Sequence, residues 1–76
     1  MTGENREEMD LRGVKCPLNW ARAKVRLEYL ERSDILELII DDRKGRQDIP
    51  RAAEAEGYVI LGIEEGERLW RIVIEK

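Results

Sequence analysis

The chain carries one sulfur nucleophile, Cys16, and no histidine. Those counts exclude an internal disulfide, a His-bearing or multi-Cys metal site, and any Cys–His or Ser–His–Asp catalytic arrangement. Cys16 therefore works without an imidazole base. With no second thiol in the chain to resolve an oxidised intermediate, chemistry begun at Cys16 is completed by another molecule. The segment Gly13-Val14-Lys15-Cys16-Pro17 sets the thiol directly before a proline suited to a first helical turn, where its missing N–H has no intrahelical partner. At or near such an N-cap, free N–H groups and the positive end of the helix dipole favour the thiolate, and Lys15 and nearby Arg12 push the same way. The same residues also permit Cys16 to be a small buried hydrophobe, as most lone cysteines are.

Three carboxylates invite comparison with an acid–base site. Asp41, Asp42 and Asp48 are spaced like paired catalytic carboxylates, but Asp48 reads as a helix cap and the other two as a turn signal, so no catalysis is assigned to them. No metal or cofactor is expected.

A chain of 76 residues makes one compact domain that buries only about 60% of the surface its unfolded form exposes. A deep catalytic cavity is excluded at that size, which places the chemistry on the surface and points to protein partners. A net charge of −3 argues against bulk attraction to nucleic acid, so no direct nucleic-acid binding is expected. No apolar run is long enough to span a membrane, and the acidic N-terminus lacks the features of a signal peptide, so a cytoplasmic location is expected.

The elements that position Cys16 follow from periodicity. Residues 1–7 are polar and aperiodic and read as a flexible tail, leaving 8–76 as the single domain. Met9 and Leu11 alternate with polar neighbours in a short strand that breaks at Gly13. From Pro17 to about Arg32 the spacing is helical: Trp20, Ala23, Leu27 and Leu30 share one face, and Leu18, Ala21, Val25 and Tyr29 form a second stripe. Ile35 to Ile40 (ILELII) is a strand. Asp41 to Gln47 reads as a charged loop, and Asp48, Pro50 and Gly57 as cap, first turn and terminator of a helix from Ile49 to Glu56. Tyr58–Glu64 and Glu67–Glu75 read as strands of a hairpin turning at Glu65-Gly66, with Trp70 in the core beside Ile72 and Ile74. The order βαβαββ predicts an α+β fold: a two-layer sandwich with a mixed four-stranded sheet and both helices on one face.

Two spaced blocks, DLRGVKCP and DDRKGRQDIP, resemble the D-x-x-G-x-x-C-P opening and D-D…D-I-P loop of the TusA/SirA-like sulfur-carrier (sulfurtransferase) family. The resemblance covers nearly the whole domain. It implies a sandwich similar to the C-terminal domain of translation initiation factor 3 and persulfide relay on Cys16, in pathways such as tRNA thiolation, cofactor synthesis or sulfur oxidation. The implied partners are a sulfur donor such as a cysteine desulfurase or rhodanese and an acceptor sulfurtransferase. The carrier is then half an enzyme. Gly13, Lys15, Pro17 and Asn19 would shape the site, and the donors that favour a thiolate would equally hold a persulfide anion. A different class of function, a non-catalytic interaction or regulatory module with a structural Cys16, fits the same fold.

The family pattern usually reads C-P-x-P, whereas Asn19 occupies the fourth position here. Its amide hydrogen-bonds near the sulfur, caps a helix starting at Trp20, or is solvated. Proline at position 19 is expected to be tolerated, because a first-turn N–H is uncommitted. The resemblance assigns the Trp20 stripe to the core. That leaves Leu18, Val25 and Tyr29, with Arg22 and Arg26 alongside, as a candidate docking surface or as ordinary scattered surface apolars.

Overall fold

The run ILELII is dense in β-branched and leucine side chains and becomes an inner strand of the sheet. The computed structural model describes residues 5–76. Its elements run β1 (Arg6–Asp10), α1 (Leu18–Tyr29), β2 (Ile35–Ile40), α2 (Arg43–Ala55), β3 (Val59–Gly66) and β4 (Leu69–Glu75). The sheet order is β1-β2-β4-β3. β1 and β2 pair in parallel while the other neighbours are antiparallel, which makes the sheet mixed. A parallel pair cannot be closed by a tight turn, and α1 supplies the crossover that returns the chain to the start of β2.

Both helices pack on one face. Ala23, Leu27 and Leu30 of α1 and its C-cap, and Ile49 and Ala53 of α2, are buried in one cluster with Leu36, Leu38 and Ile40 of β2 and Ile72 and Ile74 of β4. Trp20 and Trp70 are partly buried against that cluster, as their positions in the two apolar patterns predict. The other face carries charge: Glu8 of β1 lies opposite Glu37 of β2, whose neighbour on β4 is the apolar Val73. Arg71 there bonds Glu8 and Glu37 at 2.7 Å each, and Arg6 pairs with Glu37.

Besides α1, which ends at Tyr29 rather than near Arg32, three boundaries differ from the sequence expectation. β1 takes in Arg6 and Glu7, which polar composition assigns to the tail, because backbone pairing with Ile35 and Leu36 is indifferent to side-chain polarity. Residues 1–4 of that tail lie outside the described residues. The hairpin turns at Glu67-Arg68, with Gly66 paired to Leu69, and Arg68 takes a left-handed φ of 63°. The third difference moves a functional residue: α2 starts at Arg43 with Asp42 as its N-cap, not at Ile49 behind Asp48. Pro50 lies inside α2. A proline there withholds one N–H from the helix ladder rather than opening the first turn.

Among the described residues, no helix is long and apolar enough to cross a membrane.

Candidate functional site

The loop between β1 and α1 is held from below by the two aspartates that follow β2. Leu11, almost fully buried, extends the β1–β2 pairing by donating its N–H to the Ile39 carbonyl at 2.8 Å. Gly13 has φ +84°, the left-handed region that glycine occupies without penalty, and donates its N–H to Asp41 Oδ1 at 2.9 Å. Cys16 donates its N–H to Asp42 Oδ2 at 2.9 Å. That oxygen also accepts the Gly45 N–H at 3.2 Å, the N-cap bond of α2. One carboxylate thus starts α2 and fixes the cysteine loop.

Asn19 completes the clamp. It is fully buried, its Nδ2 donates to the Val14 carbonyl at 3.3 Å and lies 3.5 Å from Asp42 Oδ2, and its backbone N–H donates to the Lys15 carbonyl at 3.1 Å. Of the three roles open to Asn19, two are excluded: the amide is not solvated, and the N-cap of α1 is Pro17. Its amide instead bonds the backbone of the cysteine loop and the Asp42 carboxylate, and its Oδ1 accepts the Trp20 N–H at 2.7 Å. Its committed N–H also corrects the expectation that proline is freely tolerated at this position. Gly45 packs against it, and a Cβ at 45 would come 2.5 Å from Asn19 Nδ2. The absence of a side chain at 45 is therefore a packing requirement.

The sulfur sits off the helix end. α1 begins at Leu18 behind Pro17, so Cys16 precedes the N-cap, and the Cys16–Pro17 peptide is cis. Asp48, projected from α2, lies with Oδ2 3.7 Å from Cys16 Sγ, and the thiol donates to it. Partial burial pushes the Cys16 thiol up, the Asp48 carboxylate and its hydrogen bond push the same way, Asp42 adds to them, and Lys44 opposes. This reverses the sequence expectation of an activated thiolate. Arg12 is engaged elsewhere, bound to Asp10 at 2.8 Å. Lys15 is exposed, and the cation that favours the thiolate is Lys44. Asp48, read as a cap, Lys44, read as a loop residue, and Asp42, read as a turn signal, are site groups that local sequence misassigns.

The second stripe of α1 faces outward. Leu18, Val25 and Tyr29 are 51%, 54% and 77% exposed. With Met9, Ala21, Arg22 and Arg26 they line an open groove of about 510 Å³ beginning two residues from Cys16. Arg26 is held to Glu7 of β1 by two hydrogen bonds, one of 2.8 Å, which fixes one wall.

Residues 7–76 match the family described as sulfurtransferase TusA. The chain belongs to the TusA family. A relative from Archaeoglobus fulgidus, named "Putative sulfur carrier protein", is 39% identical over 74 residues, covering 96% of this chain and 84% of the relative. One of the same description from Methanocaldococcus jannaschii is 36% identical, with 92% of this chain and 93% of that one covered. The crystal structure of a SirA-like protein from Desulfitobacterium hafniense superposes with a TM-score of 0.77 at 26% identity, covering 91% of this chain and 95% of that one. These relatives support a sulfur-carrier role for this TusA-family chain, and the four-stranded mixed sheet with two helices matches the SirA-like neighbour. In the TusA-type opening DLRGVKCP, Gly13 and Cys16 are the residues anchored by Asp41 and Asp42. The two sequence blocks that carry the resemblance therefore meet as one clamp.

Proposed function

We propose that this single domain carries sulfur as a persulfide on Cys16, accepting it from a donor protein such as a cysteine desulfurase or rhodanese and relaying it to an acceptor sulfurtransferase. The carrying observation is the arrangement around the sulfur. A half-buried thiol sits on a loop clamped by Asp41 and Asp42, and α1, which follows that loop, carries an apolar groove that starts at Leu18. A domain of this size has little interior for a small-substrate cavity, so the reacting group of the other molecule arrives on a protein surface. The groove supports that reading: Leu18 and Val25 supply apolar contact area and Arg22 a charge at the rim, the composition of a docking patch. A cytoplasmic setting belongs to the same proposal, since a lone thiol persists there in reduced form.

Leu18→Glu and Val25→Glu separate docking from chemistry. Both side chains are about half exposed, so each variant folds with stability within about 0.5 kcal/mol of wild type. Alkylation of Cys16 by iodoacetamide should be unchanged, while the rate of sulfur transfer from a cysteine desulfurase or to an acceptor sulfurtransferase falls at least tenfold. Unchanged transfer would move the docking surface away from this groove.

A further inference from the structure

Resting on the carrier reading, we infer that Asp48 is the catalytic proton acceptor for Cys16 during sulfur loading. The chain has no histidine, and attack on a donor persulfide needs the sulfur lone pair released from its proton. Asp48 Oδ2 stands 3.7 Å from Cys16 Sγ and accepts its hydrogen bond. The neighbouring carboxylate, Asp42, is committed to the N–H groups of Cys16 and Gly45. Asp48 makes no salt bridge among the described residues. It lies in the body of α2, where aspartate is a weak helix former and the N-terminal dipole no longer stabilises its charge. Lys44, four residues earlier, is one turn away on the same helix face. A carboxylate so placed disfavours a standing thiolate, yet it is within reach to take the proton as the S–S bond forms.

The step balances without an oxidant. As Cys16 Sγ attacks the terminal sulfur of a donor hydropersulfide R–S–SH, its proton passes to Asp48 Oδ2. The Sγ–S bond forms, and the donor S–S bond breaks with its electron pair on R–S⁻. The terminal sulfur keeps its own proton. Asp48 returns its proton to the departing thiolate, giving R–SH and Cys16–S–SH. The sulfane sulfur changes carrier and no net redox change occurs. Discharge to an acceptor thiol runs the same exchange in reverse, with Cys16 as leaving group and Asp48–H as its acid.

The test sets two reactions of Cys16 against each other in Asp48→Asn, whose amide relieves the charge but takes no proton. Iodoacetamide alkylation, which reads the standing thiolate fraction, should be faster than wild type at neutral pH. Single-turnover loading from glutathione persulfide, followed by intact mass, should be at least tenfold slower, since general-base catalysis supplies roughly 10²–10⁴-fold. Asp48→Glu, which restores a carboxylate on a longer arm, should recover part of the loading rate and confirm that loss of the base, not of the fold, is read. Loading of Asp48→Asn at the wild-type rate or faster overturns the assignment while leaving the carrier role standing. Wild type that gains no sulfur from either glutathione persulfide or a cysteine desulfurase overturns the carrier reading, and this inference with it.

Discussion

Asp42→Ala should be the most damaging single truncation outside the apolar core, because one oxygen serves two elements. Loss of an N-cap aspartate costs about 1 kcal/mol. The Cys16 N–H, which donates to the same oxygen at 2.9 Å in a part-buried setting, is left without its acceptor. Stranding such a donor costs about 1–3 kcal/mol, and the lower end applies because Cys16 is only half buried. The Asn19 amide adds little, since its 3.5 Å contact with Asp42 is long and its bond to the Val14 carbonyl survives. The sum is about 2–3 kcal/mol, out of a total stability of about 4–11 kcal/mol expected for a domain of this length. In a small domain each kcal/mol moves the melting midpoint by about 4–8 °C, so a drop of about 10–20 °C is expected. Urea and thermal unfolding followed by far-ultraviolet circular dichroism measure it. Asp42→Asn keeps an acceptor oxygen at the same position and should lose less than half as much. A truncation costing under about 0.5 kcal/mol, or an asparagine variant as unstable as the alanine variant, would refute the shared-oxygen argument.

Cys16 alkylation rate against pH should show a midpoint above that of an ordinary thiol. Lys44→Met should raise it further and Lys15→Met leave it in place, because Lys44 is the cation acting on the sulfur. Gly45→Ala should destabilise by about 1–3 kcal/mol as overpacking, its Cβ meeting Asn19 Nδ2 at 2.5 Å. The double variant with Asn19→Ala should recover part of that loss in urea unfolding. Asp10, held down to about 2 by its hydrogen bonds from Arg12, should be among the last carboxyls to protonate in an NMR titration. With its folded-state value depressed, the stability it contributes is present above about pH 4, its unfolded range, and fades as pH falls through 2.

Much of the architecture is legible from periodicity because the core is made by it. Ala23, Leu27 and Leu30 recur at helical spacing and all point into the cluster, and ILELII forms β2 with Leu36, Leu38 and Ile40 inward. The second stripe of α1 is equally legible as surface, because the first has claimed the sheet. What local pattern does not carry is where α2 starts. Asp42 and Asp48 are both aspartates ahead of helical residues, and Pro50 is suited to a first turn behind Asp48. The choice falls to Asp42 because only from there does one carboxylate also reach the Cys16 N–H, a contact between residues 26 apart in sequence. The same error hides the sign of the electrostatics at the sulfur. Once α2 begins six residues earlier, Asp48 lies on the body of the helix and points at Cys16. Lys15 and Arg12, adjacent in sequence, yield to charges that are adjacent in space. Asn19 is a related case: its departure from the family pattern marks the position as special, but its burial against Gly45 is visible only when the two blocks meet.

The central claim is that Cys16 takes up sulfur, and intact mass after incubation with a cysteine desulfurase and cysteine measures it most directly. The account predicts that wild type gains the mass of one sulfur atom, that the gain is removed by a reducing thiol, and that Cys16→Ala, folded to the same degree, gains none. Wild type left unloaded, or Cys16→Ala loaded equally, would contradict it.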